Sequence, residues 1–419
     1  MTISNICMPH VSSTLKRPPK PKPANPIETA VKSWLASFPL GSLESFELDA
    51  EILLSSIPKR WVVYAPMVLL PAGSFGPEWW EIIRLEVMSS KADELWKLML
   101  QNIEKREGKG ILTHLAINSG IPLHKTTTGS EPDQRTPSTS EPADAENILR
   151  TPSGLVMLYG DFGPRSSPDL EPAEKDFEDA FWVSTKQNGI TQVWAPRYTM
   201  FSRGNVKEKA RLLDFHSPKS GANSLRREQL KSATAVDLYA GIGYFVFSYA
   251  KMGMKRVVGW ELNPWSVEGL RRGAVANGWS VKVVKDGTDF GAFDEQIVMF
   301  LEDNSMAADR IQKSRALDLD NIRHVNCGLL PTSEPVWDKT LRILRGDDGW
   351  LHLHENVGVS DIQTRRREIE EKFASWIMSG NDGRVAKVEH VELVKTFAPG
   401  VWHCVFDVHI TQADHPPSA

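Results

Sequence analysis

The chain of 419 residues is poor in cysteine and contains no long apolar run. Its three cysteines, Cys7, Cys327 and Cys404, are scattered and lack the paired spacing of a zinc site or a disulfide framework. That usage fits a reducing compartment such as the cytoplasm. No stretch approaches the roughly 20 uninterrupted apolar residues of a membrane span. The N-terminal stretch has neither an apolar segment nor a small-residue cleavage site, so no secretory signal is expected. Internal repeats are absent, and so is a bias of charge. Against 53 acidic residues stand 49 basic ones, and the formal net charge of −4 gives no global sign of a nucleic-acid partner. The apolar fraction of 41% is enough to bury real cores and excludes a wholly disordered chain. At about 150 residues per domain, the length asks for two or three domains.

Charge and proline are unevenly spread. Residues 1–27 carry Lys16, Arg17, Lys20 and Lys22 and no acid among several prolines, the pattern of a disordered basic tail. Residues 28–110 show helical spacing in IETAVKSWLASF and WKLMLQNIEKRE, and a strand broken by Pro66 in RWVVYAPMVLL. A middle α+β region, 111–215, contains a Thr-, Ser-, Pro- and acid-rich segment at 125–150 that reads as a disordered insertion between two β-like runs. A second acidic, Pro-rich loop covers about 164–176, followed by the strand-like runs FWVST, ITQVWAP and TMF. Over 216–412 strands and helices alternate and end in the strand pair VEHVELVKTF and VWHCVFDVHI, with a short tail at 413–419. This order predicts an α/β fold, a doubly wound, mostly parallel sheet closed by an antiparallel pair and preceded by a smaller α+β region.

The sharpest chemical signal is AVDLYAGIGYF followed by VVGWELNP. Asp237 is expected at the end of the first strand of the α/β region, with Gly241 and Gly243 in the turn after it. Glycine there lets the backbone approach a ligand at a helix N-terminus. Val246 occupies the last position of the dinucleotide fingerprint, which weakens a dinucleotide reading and fits a cofactor without a pyrophosphate. Glu261 closes the next strand, where a carboxylate can accept hydrogen bonds from both ribose hydroxyls. Strand, GxG turn, helix, strand and terminal acid in that order point to a nucleoside cofactor.

These residues, with RWVVYAPMVLLPAGSF, LYGDFGP, WAPRYTMFSRGNVKEKAR, VNCGLLPTSE and LHLHENV, resemble the family of tRNA guanine-37-type methyltransferases and wybutosine-synthesizing enzymes. The resemblance covers most of residues 50–412, apart from insertions at about 125–150, 164–176 and 280–294. It implies S-adenosylmethionine as cofactor, with the closing hairpin typical of that transferase fold, no metal, and tRNA as partner. Ser202 and Lys209 would hold the carboxylate end of the cofactor, Glu261 the ribose, and Asp303 and Asn304 the adenine. Without the resemblance, Ser202 and Lys209 read as a helix cap and a solvated lysine. The family often has glycine where this chain has Glu302.

Members that methylate ring amines carry Asn or Asp with Pro-Pro-aromatic after the fourth strand. Here that place reads Asn326-Cys327-Gly328-Leu329-Leu330-Pro331, which resembles the aminocarboxypropyl branch. The implied reaction is transfer of the 3-amino-3-carboxypropyl group to a tricyclic guanine derivative beside the anticodon of phenylalanine tRNA, with a tRNA purine methyltransferase as the alternative. Asn326 is the candidate for positioning the substrate, and residues 28–110 are a candidate tRNA-binding region. No protein partner and no membrane is implied.

Three other features stay open on sequence. His352 and His354 share one face of a strand, either as polar strand-end residues or as proton-handling groups. Residues 197–231 hold nine basic against three acidic side chains, either a solvated helix face or a phosphate-binding patch. Trp61, Trp79, Trp80, Trp194 and Trp265 are core residues or stacking platforms for a splayed base.

Overall fold

A computed structural model describes residues 24–38, 49–84, 89–118, 147–152, 154–165, 171–217, 224–285, 293–313, 319, 321–346 and 348–413. The chain divides into two compact units, residues 1–59 with 75–108, and residues 60–74 with 109–419. Among the described residues the first unit is helical: α1 (Pro26–Leu35), α2 (Ala50–Ser55), α3 (Pro77–Arg84) and α4 (Ser89–Glu107). Asn25 starts α1 by accepting the Ile27 amide at 2.9 Å, with Pro26 supplying the preset φ of a first helical position. Asp49 caps α2 in the same manner. Trp34 and Trp79 stack at 5.8 Å in this unit's core, and each satisfies its indole N–H on a backbone carbonyl, of Lys91 and Leu53 respectively.

The RWVVYAPMVLL run forms two strands rather than one, β1 (Val62–Tyr64) and β2 (Met67–Leu70), which pair antiparallel. They belong with the second unit, not with the helices of 28–110 as expected, because β2 continues into a four-stranded sheet, β1-β2-β3-β4, with β3 (His114–Ile117) and β4 (Val156–Tyr159). Next come α5 (Glu174–Asp179) and an antiparallel pair, β5 (Val183–Gln187) and β6 (Ile190–Trp194). The segment TMF is not a strand. There the Met200 carbonyl accepts from the Tyr244 hydroxyl at 2.5 Å, and the chain passes through a 3-10 turn into α6 (Val206–Leu213).

After the short α7 (Arg227–Leu230), the main sheet starts with β7 (Thr234–Asp237), buried along its whole length. It continues through α8 (Val246–Met252), β8 (Arg256–Glu261), α9 (Pro264–Ala276), β9 (Val281–Lys285), β10 (Ile297–Leu301), α10 (Ala307–Lys313), β11 (Ile322–Cys327), α11 (Trp337–Ile343), β12 (Asp348–Gly358), α12 (Ile362–Ser379), β13 (Arg384–Ala398) and β14 (Val401–Gln412). Gly253 ends α8 in the left-handed region at φ 101°, as a C-terminal glycine should. The strand order is β13-β14-β12-β11-β7-β8-β10-β9, parallel from β12 to β9 and antiparallel at β14 and β13. The doubly wound sheet with its closing hairpin is therefore present. Within the segment expected as an insertion at 280–294, VKVVK forms β9 and pairs parallel with β10 at the sheet edge. The order of strand addition reverses at β7, with β8 and then β10 to one side and β11 and then β12 to the other, so the crevice beyond the strand ends opens there.

The expected basic tail lies outside the described residues except for residues 24–27, which open α1. Most of the expected insertion at 125–150 also lies outside them. Its last residues, 147–150, do not behave as an insertion: Asn147 is buried and holds Thr151, and the Arg150 guanidinium donates to the Leu330 carbonyl at 2.8 Å. The 413–419 tail lies outside the described residues except for residue 413.

Candidate functional site

A cavity of about 400 Å³ opens at the C-terminal ends of β7, β8, β10 and β11. The loop after β7 contributes Leu238, Tyr239, Gly241 and Ile242, the end of β8 contributes Glu261, and the turn after β10 contributes Glu302, Asp303 and Asn304. Gly241 and Gly243 adopt φ of 54° and 91°, which other residues reach only with strain. A Cβ on Gly243 would come within 2.6 Å of the Phe247 ring, so glycine is also needed there for close packing.

Glu261 ties this turn together. Its two oxygens accept the backbone amides of Gly241 and Asn263, each at 2.8 Å. Burial pushes its carboxyl pKa up, and these amides oppose the rise. Each oxygen keeps a lone pair for a further donor at the cavity. Asp303 accepts the Ser305 amide at 2.7 Å and is held below the usual carboxylate range by Ser305, while Asn304 donates to the Leu238 carbonyl at 2.7 Å. Glu302, in the family's glycine position, directs its carboxylate onto Arg310 in a salt bridge of 2.7 Å and accepts from the Trp260 indole. The added side chain thus has partners of its own, and the backbone still delivers Asp303 to the cavity.

Other candidates sit elsewhere. Asp237 is wholly buried beneath the turn and accepts from the Tyr239 amide and the Asn326 side chain, each at 3.1 Å. Its other oxygen has no hydrogen-bond partner, and burial raises its pKa to about 7. Asn326, paired with Asp237 across β7 and β11, does not line the cavity, so its reach is through Asp237. Beyond the end of β11 the wall is made instead by Gly328 and Leu329 of the following loop. Lys209 is buried behind Phe201 and Tyr244, with its ammonium 5.0 Å and 5.7 Å from their ring centres. It donates to Gln187 and Gln192 at 2.7 and 2.8 Å rather than to a carboxylate, and burial lowers its pKa to about 8. Ser202 donates its amide to the Tyr244 hydroxyl and lines a neighbouring cavity.

Sequence reasoning missed Arg150, Leu149 and Ile148, which line the cavity from the end of a segment whose composition marked it as disordered. The one available signal was the apolar pair before Arg150. It also missed what His352 does. The Leu225 amide donates to His216 Nδ1 at 3.0 Å, which leaves the His216 proton on Nε2 for His324 at 2.7 Å. His324 Nδ1 then donates to His352 at 2.8 Å, and His352 Nδ1 to Asp407 at 2.7 Å. Burial keeps His216 and His324 neutral, His216 with a pKa of about 4. Burial alone would raise the Asp407 pKa, but His352 and Arg211 hold it low. His354 pairs separately with His403 at 3.0 Å. No group of metal-binding side chains occurs among the described residues, and none of their helices is long and apolar enough to cross a membrane.

The basic segment 197–231 is partly internal as well. Arg211 is held by Glu208 and Asp407, and Lys207 pairs with Glu392 at 2.6 Å.

A doubly wound sheet closed by an antiparallel pair, with a glycine turn and a terminal carboxylate facing one cavity, defines a class I S-adenosylmethionine-dependent transferase. A crystal structure of P. horikoshii TYW2 in complex with MeSAdo shares this fold, with a TM-score of 0.52 and 16% identity, covering 92% of this chain and all of that one. No family model matches the chain. The tRNA wybutosine-synthesizing protein 2 of Schizosaccharomyces pombe is 40% identical over 355 residues, which cover 84% of this chain and 72% of the relative. That of Saccharomyces cerevisiae is 30% identical over 423 residues, covering 92% and 81%. The chain belongs to the tRNA wybutosine-synthesizing protein 2 family.

Proposed function

We propose that this protein transfers the 3-amino-3-carboxypropyl group of S-adenosyl-L-methionine to the C7 carbon of 4-demethylwyosine, the tricyclic wybutosine precursor beside the anticodon of phenylalanine tRNA, in the cytoplasm. The observation that carries the reading is the wall supplied by the loop after β11. Where a ring-amine methyltransferase presents acceptors to its target nitrogen, this chain presents Gly328 and Leu329, and its one amide there, Asn326, is engaged by Asp237. A carbon nucleophile needs no such acceptor.

The cavity suits the donor: positive-φ glycines admit a ligand close to the backbone, and Glu261 has lone pairs left at its edge. Bound S-adenosylmethionine supplies a sulfonium-activated side-chain carbon, which bonds to the acceptor carbon as methylthioadenosine leaves and the acceptor proton is lost. The residues of this chain then have to hold and orient. Glu261 accepts from the ribose hydroxyls, Asp303 from the adenine amino group, and Asn304 stays clamped to Leu238 beside them. Asp237 holds the turn carrying Gly241 and Gly243, and Asn326 positions Asp237. Ser202 and Lys209 take the carboxylate end, Lys209 after exchanging one glutamine oxygen for it. Orientation decides which of the three carbons on sulfur reacts, and near-attack placement is worth several kcal/mol. The helices of the first unit are our candidate for additional tRNA contact.

Mass spectrometry of nucleosides from the tRNA of cells lacking the protein tests the proposal. Accumulated 4-demethylwyosine is expected, and normal levels of the later wybutosine nucleosides would refute it.

A further inference from the structure

A second cavity, of about 510 Å³, adjoins the first, and Thr199 and Met200 line both. Its inner wall is aromatic. Trp194 stacks on Phe201 with ring centres 4.8 Å apart, and Tyr64 meets Trp194 edge-on at 4.9 Å. Trp61, Met67 and Leu69 continue the apolar lining. Three cations complete it, Arg60, Arg203 and Lys395, and no carboxylate lies among the lining residues.

These cations differ from their neighbours. Lys207 and Arg211 are held by acids, whereas none of Arg60, Arg203 and Lys395 has a carboxylate within ion-pair distance among the described residues. Lys395 is half-buried, and burial lowers its pKa. Its stem crosses the turn at Gly204, where a Cβ would come within 2.5 Å of Lys395 Cδ. A half-buried ammonium without an acid partner, over a wall of aromatic rings, suits an anion attached to a flat ring. An apolar ligand would leave the cations uncompensated, and a simple anion would leave the rings unused.

We propose that this second cavity seats one unstacked nucleotide of the RNA substrate, its base against the aromatic wall and its phosphate among Arg60, Arg203 and Lys395. The proposal rests on the RNA reading above. It names a chemistry that three nucleotides share, the acceptor itself and its neighbour on either side in the strand.

The test uses the full chain and phenylalanine tRNA ligated from synthetic halves, intact or lacking the base at the acceptor position or at either adjacent one. Binding is read by fluorescence anisotropy across a salt series, and S-adenosylmethionine binding by calorimetry. Trp61→Ala should weaken intact tRNA on the order of tenfold, the loss of one base stack. Lys395→Ala should lower the slope of log affinity against log salt by about one. Both should leave S-adenosylmethionine binding unchanged. The occupant is the position whose base removal abolishes the effect of Trp61→Ala, since contacting groups are non-additive. Unchanged tRNA affinity in both variants, or losses that add at all three positions, would overturn the proposal. So would a matching loss of S-adenosylmethionine binding, which would assign the cavity to the donor. Absence of tRNA binding by the unaltered chain would instead refute the RNA reading itself.

Discussion

Replacing Glu261 by glutamine separates the task that the structure shows for this carboxylate, holding the turn, from the one proposed for it, holding the ribose. Both oxygens accept a backbone amide at 2.8 Å, and an amide side chain has only one oxygen. One N–H, of Gly241 or Asn263, is then left facing a donor, at a cost of about 1–3 kcal/mol. At about 2–4 °C per kcal/mol for a domain of this size, the Tm of the free protein should fall by roughly 2–12 °C. Ribose recognition is a separate loss. Hydrogen bonds to a charged acceptor are worth about 1.5–3 kcal/mol, and at about 1.4 kcal/mol per tenfold their weakening should raise the Kd for methylthioadenosine by roughly ten- to a hundredfold. Differential scanning fluorimetry reads the first quantity and calorimetry the second. A lowered Tm with a Kd within threefold of the unaltered protein would show that Glu261 only builds the turn, and the ribose assignment would fail.

Three further outcomes are expected. Lys209→Met should weaken S-adenosylmethionine at least tenfold yet spare methylthioadenosine, which lacks the carboxylate; equal losses would remove Lys209 from that role. Asn326→Ala deprives buried Asp237 of one of its two donors, so a loss of about 1–3 kcal/mol in urea unfolding is expected, with donor binding weakened through the displaced turn; unchanged stability would contradict the positioning role. Stability should also fall as pH drops from about 6.5 toward 4. His216, His324, His354 and His403 have folded pKa values below 6.5, so the unfolded chain binds more protons in that window, worth up to about 1.4 kcal/mol per pH unit for each. Asp237 and Glu261, with raised pKa values, oppose this by taking protons in the folded state. Urea titrations of His216→Gln and the unaltered protein between pH 4 and 7 should show a shallower slope in the variant.

The glycine turn after β7 was legible in the sequence because its demands are local. Gly241 and Gly243 answer to backbone φ, and Glu261 closes a strand a fixed topological step away. The sheet was legible from its period, except at β9, where the alternation VKVVK at an edge carries little apolar signal. Asn326 was placed correctly at the end of β11 but given the wrong neighbour, since its partner Asp237 is fixed by strand pairing and not by spacing. Lys209 looked solvated because its acceptors, Gln187 and Gln192, lie on another pair of strands. The histidine chain joins four elements, and no window of sequence contains two of its links. Arg150 was hidden by the composition of the segment it ends. The net charge misled twice: it concealed the basic segment 197–231, and that segment in turn includes Lys209 and Arg211, which face inward. Cations at the second cavity come from residues 60, 203 and 395, which only the fold brings together.

The choice of carbon transferred separates an aminocarboxypropyltransferase from a methyltransferase. Purified protein would be incubated with tRNA from cells lacking it and with S-adenosylmethionine labelled either in the carboxyl carbon or in the methyl group. Carboxyl label should enter the tRNA in one-to-one proportion with released methylthioadenosine, and methyl label should stay in the released nucleoside. Methyl label appearing in the tRNA, with no carboxyl label, would contradict the account and make the protein a methyltransferase.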